Sequence, residues 1–237
     1  MAASISPHDN QSSLNLSSPP STSGASALRT HTVPLLRASA SALQGFGHPI
    51  SDFASCGCAI TPWPVAGWRK LVPGTGDEGG VVEDVFTMER VGCLQMATNV
   101  GLGRRYVTGW YHSDPAAASE QQEPASTSFL LTHEANYHPD GAQVFSSRNG
   151  EPFILLLARP GDDIGPESFT AFLVDPAFDA SIVGVHVNAG VWHQPAFPVH
   201  GRGVPLLDNR QGKVHACVAV DFVSEWKCYL RVPLCLE

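Results

Sequence analysis

The amino-acid sequence predicts a mainly β fold, a small closed barrel or two-sheet sandwich with short helices confined to its N-terminal part. Three observations carry this. The second half of the chain is a series of short β-branched or aromatic runs, each bounded by Gly, Pro, Asp or Asn. Two of the runs alternate. In SIVGVHVN, Val183, Val185 and Val187 share one face while Gly184, His186 and Asn188 share the other; in VHACVAVDFV, the apolar row from Val214 to Phe222 lies opposite His215 and Asp221. Finally, 19 prolines and the absence of a sustained helical apolar period favour short elements joined by turns. In a small barrel, the polar face of such strands can line an inner pocket.

Residues 1–29 are rich in Ser, Ala and Pro, with Asp9 and Arg29 as their charged residues. A segment of this kind buries too little apolar surface to offset its ordering entropy, so it reads as a disordered extension. A transit peptide is the alternative, although only Arg29 and Arg37 supply the arginines such peptides use. Residues 30–237 read as a single domain. It opens with a short strand (Val33 to Leu36), a helical turn (Ser39 to Gln44) and a Gly-Pro turn (Gly47 to Pro49). Residues 54–80 carry Gly, Pro and Trp without periodicity and read as loop, and SDPAAASEQQEPASTS (113–128) is a low-complexity insertion. Strands are expected at Gln143 to Ser146, Pro152 to Ala158, Phe169 to Val174, Ile182 to Asn188 and Val214 to Val223.

The bulk numbers exclude several partners. A net charge of -8, from 14 basic and 22 acidic residues, gives no concentrated positive field for nucleic acid or an anionic membrane. No apolar run approaches the ~20 residues of a membrane span. The partner expected is a small molecule. Six cysteines lack a CxxC pair, and read as buried free thiols rather than a zinc site.

Two clusters could carry chemistry. In LLTHEANYHPDGAQVFSS, His133-Glu134 and His138 suggest a zinc helix, but the histidines stand five apart, and that motif needs a spacing of four to put both on one helix face. What remains is a turn, His138-Pro139-Asp140-Gly141, feeding a strand with Gln143 and Phe145 on alternate positions; taken alone, these residues favour a hairpin turn with a surface His. In VHVNAGVWHQPAFPV, a polar-faced strand ends at Asn188, turns at Ala189-Gly190, and presents Trp192 and His193. Histidine suits acid/base work near neutral pH, and a neighbouring Trp can exclude water; alternatively Trp192 plugs a barrel end and His193 caps a turn. A β-barrel could bring His138, Gln143, His186, Asn188 and His193 to one cavity. No HxH-plus-Glu pattern accompanies them, so no cofactor is required; stimulation by a divalent metal is the lesser alternative.

HPDGAQVF, PFILLLARPGDD, TAFLVDPAF, GVHVNAGVWHQPAF and CVAVDF occur in the order and spacing of the ureidoglycolate lyase family, which the chain resembles over roughly residues 32–223. The resemblance is strong from His138 onward and patchy over 54–132. It implies a cupin-like double-stranded β-barrel, often a homodimer, that cleaves (S)-ureidoglycolate to glyoxylate and urea in allantoin and purine catabolism. His138, Pro139, Gly141, Gln143 and Phe145 match one family pattern, Gly190, Trp192, His193 and Pro195 a second, and Asp221 an aspartate near the end of the last core strand. Gln194 stands where a second histidine is frequent and Phe222 where an arginine often follows. The cation for the substrate carboxylate is left among His112, Arg104 and Arg105.

Ureidoglycolate carries a hydroxyl, a carboxylate and a urea nitrogen on one carbon. Its collapse to the aldehyde needs a base for the hydroxyl proton and an acid for departing urea. Two imidazoles suffice, and His193 and His138 are expected to share that work. Substrate binding falls to Gln143, Trp192, Asn188, His186 and Asp221, with Gln143 complementing the ureido group. Two other functions compete: an amidohydrolase releasing ammonia, which usually needs a metal-activated water, and a cupin-like small-molecule binding module without turnover. The compartment expected is cytoplasmic, or organellar if the extension is a transit peptide.

Overall fold

The computed structural model describes residues 29–58, 81–99, 104–139, 141–161, 163–199, 206–212 and 218–236. The strands among them are β1 (Arg29–Thr32), β2 (Leu35–Arg37), β3 (Gly47–Ile50), β4 (Val81–Val91), β5 (Leu94–Asn99), β6 (Arg104–Trp110), β7 (Phe129–Thr132), β8 (Glu134–Tyr137) and β9 (Gln143–Ser147). They continue with β10 (Phe153–Ala158), β11 (Phe169–Val174), β12 (Gly184–Val187), β13 (Trp192–His193), β14 (Phe197–Pro198), β15 (Leu206–Gly212), β16 (Val218–Asp221) and β17 (Cys228–Pro233). One sheet runs β1-β17-β7-β6-β5-β4-β15-β9-β12-β3; the other runs β16-β8-β13-β10-β11-β2, with β14 also on β10. The fold is thus mainly β and consistent with the cupin-like expectation, built as two open sheets.

β10 explains how the sheets pack. Its FILLLA is buried at every position, which is why it reads as a continuous apolar run rather than an alternating one. Phe153, Leu155 and Leu157 join Phe86, Met88, Phe145, Val185 and Val187 of the larger sheet. Ile154, Leu156 and Ala158 face the opposite way, toward Leu130, Leu230, Val232 and Phe222. The smaller sheet is therefore covered on both faces, and each fully buried Leu or Phe contributes roughly 1.5–3 kcal/mol.

The helical turn expected at Ser39 to Gln44 is present, with Leu43 N–H donating to Ser39 C=O at 3.0 Å, but it does not extend into a helix. Ser39 caps it, accepting from Ala42 N–H at 3.1 Å, but Gly45 takes φ +89° and ends the coil before a second turn. Leu43 and Phe46 fix this segment into the core. The last core strand is also shorter than its alternation suggested. β16 stops at Asp221, whose carboxylate accepts from Ser224 N–H at 2.6 Å and caps the short helix α1 (Phe222–Trp226). Residues 213–217 lie outside the described part, as do residues 1–28 of the proposed extension and 59–80 of the proposed loop; Arg29 opens β1. The low-complexity insertion joins β6 to β7 and is fastened back by Cys93 N–H donating to Ser119 C=O at 3.0 Å. Cys56, Cys58, Cys93, Cys228 and Cys235 are free thiols. Among the described residues no helix is long and apolar enough to cross a membrane.

Candidate active site

Strand β8 alternates. Ala135 and Tyr137 enter the core cluster behind the smaller sheet, so Glu134 and Asn136 fall on the opposite face, and His138 follows two residues on. Across the ladder, His193 of β13 pairs with Asn136 and with Leu157 of β10, which sets its imidazole over that same face. Trp192 points the other way, edge-on to Tyr137 at 4.5 Å, and its indole N–H donates to Gly161 C=O at 3.2 Å. The tryptophan thus packs on the face of the sheet opposite the His193 ring.

The two sequence clusters meet through the backbone. Gly190 adopts φ +78°, a conformation costly for any residue with a Cβ. The turn this permits lets Gly190 N–H donate to His138 C=O at 2.8 Å. The His138 and His193 rings consequently sit 5.3 Å apart, centre to centre.

His193 is 4% exposed. Its Nδ1–H donates to Val191 C=O at 2.9 Å, and its Nε2 lies 2.7 Å from the Gln143 side-chain oxygen. Burial, reinforced by the neighbouring His138, pushes the His193 pKa down to about 3, so the resting ring is neutral. An amide oxygen at Nε2 suits the protonated ring, and an amide nitrogen the neutral one. A half-turn of Gln143 exchanges the two, so this amide can follow the proton on His193. Gln143 reaches the site because it opposes Val187 across β9–β12, on the inward side.

A second group of polar side chains adjoins these. Glu134 is 9% exposed, and burial raises its carboxyl pKa to about 7, with a Gln194 hydrogen bond lowering and Asp221 further raising it. Its Oε2 lies 3.8 Å from His133 Nε2. The His133 ring stands 5.3 Å from Trp110, and burial holds its pKa below the ordinary imidazole value. The Gln194 amide donates to the Glu134 backbone carbonyl. On sequence alone, Glu134 falls together with the zinc helix. The segment is indeed a strand, but the Glu134, Asn136, His138 spacing of two was the signal that these residues share a face.

The other candidates lie elsewhere. His186 opposes Val144 and His48, on the outward side of β12, where it stacks on His48 at 4.5 Å beside a groove of about 680 Å³ that also takes in Asp52, Cys56 and Cys58. Asn188 is exposed. Neither is brought to His193, because Val185 and Val187 take the inward face of their strand. Asp221 is beside Glu134 in register and spends one carboxylate oxygen on the helix cap. Of the cations, Arg105 is exposed and paired with Glu89 at 3.1 Å and Glu120 at 3.4 Å. His112 is engaged with Asp114 N–H and Gln122 in the insertion. The Arg104 side chain lies outside the described part. Among the described residues, no cluster of three or more His, Cys, Asp or Glu could hold a metal ion.

The family model for ureidoglycolate lyase matches residues 104–228, which include β8, β9, β13 and every residue of the site above. The chain is similar to a ureidoglycolate lyase of Azotobacter vinelandii, 34% identical over 96 residues, covering 40% of this chain and 55% of that one. It is also similar to those of Pseudomonas savastanoi pv. phaseolicola, at 32% over 80 residues (34% and 44% of the two chains), and of Pseudomonas fluorescens, at 30% over 100 residues (42% and 54%). The chain spans about half the length of the curated relatives it matches.

Proposed function

The chain belongs to the ureidoglycolate lyase family, and from that premise we propose that it cleaves (S)-ureidoglycolate to glyoxylate and urea, a step of allantoin catabolism. The observation that supports this most is the buried His193, held 2.7 Å from the Gln143 amide and 5.3 Å from the His138 ring. The reaction moves one proton off the hydroxyl and one onto the departing nitrogen, and needs no redox cofactor. His193 and His138 carry the proton traffic, and the half-buried His138 is the more accessible of the two. Gln143 binds the ureido group. In turning to it, the amide leaves Nε2 of His193, so substrate binding itself uncovers the base. Trp192 backs the site and keeps water out.

Metal stimulation is a secondary element of this proposal, as are a homodimeric assembly and a cytoplasmic location, or an organellar one if residues 1–29 act as a transit peptide. The test is incubation of the purified chain with ureidoglycolate, with and without a chelator. Urea with glyoxylate is the expected result. Ammonia in place of urea would mark an amidohydrolase, and glyoxylate binding without turnover a binding module.

A further inference from the structure

Resting on the lyase reading above, we propose that Glu134 is the catalytic acid that protonates the departing ureido nitrogen. His193 and Glu134 occupy one face of the smaller sheet as diagonal neighbours, since His193 pairs with Asn136 and Glu134 lies two residues along the same strand. Diagonal neighbours stand about 7–8 Å apart at their backbones, so side chains reaching inward can meet opposite sides of one small molecule. Asn136, between them, is only half-buried, and Ala219, which opposes it on β16, is exposed. This row is therefore open on the β16 side, while the Glu134 side chain itself keeps 11% exposure.

A second observation points to a ligand here. Trp110 is 2% exposed, yet its Nε1 has no hydrogen-bond partner, and His133 Nδ1 in the same corner has none either. Buried polar atoms are normally satisfied. The open indole donor belongs to the ring packed against His133, whose Nε2 lies 3.8 Å from the Glu134 carboxyl, and it suits a ligand carbonyl. The proton balance also has a place for a carboxylic acid beside the two histidines. A resting His193 is neutral and has no proton to give, whereas a carboxyl with a pKa of about 7 still holds one over much of the neutral range.

In the step itself, the imidazole pair takes the hydroxyl proton and the C–O bond becomes the aldehyde C=O. The C–N bond breaks with its electron pair going to nitrogen, and the Glu134 O–H proton passes to that nitrogen to complete urea. The proton on the imidazole pair then returns to the Glu134 carboxylate through solvent. No oxidant or reductant enters. Among the described residues, the titratable groups facing Glu134 are His133 on its own segment, Asp221 on β16 and, diagonally across the ladder, His193 on β13.

The test compares wild type with Glu134→Gln, checked for folding by circular dichroism. Substrates are ureidoglycolate and an N-aryl ureidoglycolate, whose departing nitrogen needs less protonation. Wild type should lose kcat as pH rises through about 7, because the acid form is titrated away. Glu134→Gln should lose that limb and about 100-fold in kcat, with a much smaller loss on the aryl substrate. Near-normal turnover with the limb intact overturns the proposal, and so does an equal loss on both substrates, the sign of a merely structural role. Should Glu134→Gln fail to fold, a wild-type profile without a basic limb near pH 7 overturns it as well. Absence of urea and glyoxylate from wild type would instead overturn the lyase reading.

Discussion

The side chains of Gln143 and His193, fifty residues apart in the chain, meet at 2.7 Å inside the fold, and a buried imidazole thereby has its Nε2 covered by an amide. The contact joins β9 of the larger sheet to β13 of the smaller one, so it links the two halves of the site. Gln143→Glu should therefore act on His193 directly. A carboxylate at that distance favours the imidazolium and raises the His193 pKa from its depressed value of about 3. An NMR titration of the ring should show the upward move, and the acid limb of kcat should shift to higher pH with it. An unmoved His193 resonance would contradict the contact. Gln143→Ala should raise KM by about tenfold, the worth of one hydrogen bond of ~1.4 kcal/mol.

Acid stability should depend on His193. Its folded pKa lies below the unfolded value of 6.5, so the unfolded chain binds the proton more readily. The neutral ring's contribution is complete above that value and is lost as pH falls from it toward about 3, at up to roughly 1.4 kcal/mol per pH unit. Glu134 works oppositely. Its folded pKa of about 7 exceeds the ordinary 4.5, so its contribution is present below 4.5 and lost as pH rises through about 7. Tm measured against pH should show His193→Gln with a flatter acid side and Glu134→Gln with a flatter neutral side.

Gly190 offers a test of how the two motifs are fastened. A Cβ there would meet only Pro160, at an ordinary 3.5 Å, so the cost of Gly190→Ala is the left-handed backbone alone, about 1–2 kcal/mol. Gly190→Asn should recover part of it, since Asn tolerates that conformation. Equal Tm values for wild type and the alanine variant would show that the turn does not need the glycine.

Asp221 separates a capping role from a substrate role. Because its carboxylate accepts from Ser224 N–H, Asp221→Ala should cost about 1 kcal/mol of stability, while Asp221→Asn, which keeps a capping oxygen, should cost less. If KM rises strongly in both variants with Tm unchanged, the residue serves substrate instead.

Much of this arrangement was legible in the chain itself. β10 and β11 announce themselves because turn residues bound them and the core demands apolar side chains at nearly every position, whereas β9, QVFSS, is marked by the turn before it and the Gln143, Phe145 alternation. The Gly190, Trp192, His193 turn was equally plain. β5 was not, and its LQMATN shows why. Gln95 is fully buried and satisfied by Glu89 C=O and Tyr111 O–H, and a bulge between Gln95 and Met96 shifts the register to β6. A satisfied buried amide and a register shift each break the alternation that reveals a strand. His186 failed for another reason. Alternation tells that a strand has two faces but not which faces the pocket, and the valines opposite His186 took the interior. For Glu134 the spacing to Asn136 and His138 reveals a shared face, but that His193 lies over that face is a long-range fact supplied by the ladder to β13.

Quantifying glyoxylate and urea from ureidoglycolate with wild type, His193→Ala and His138→Ala, each shown to be folded, tests the proposed reaction. Equal amounts of the two products are expected from wild type, and losses of about 100-fold or more in both variants. No urea from wild type, or near-normal release from both folded variants, would contradict it.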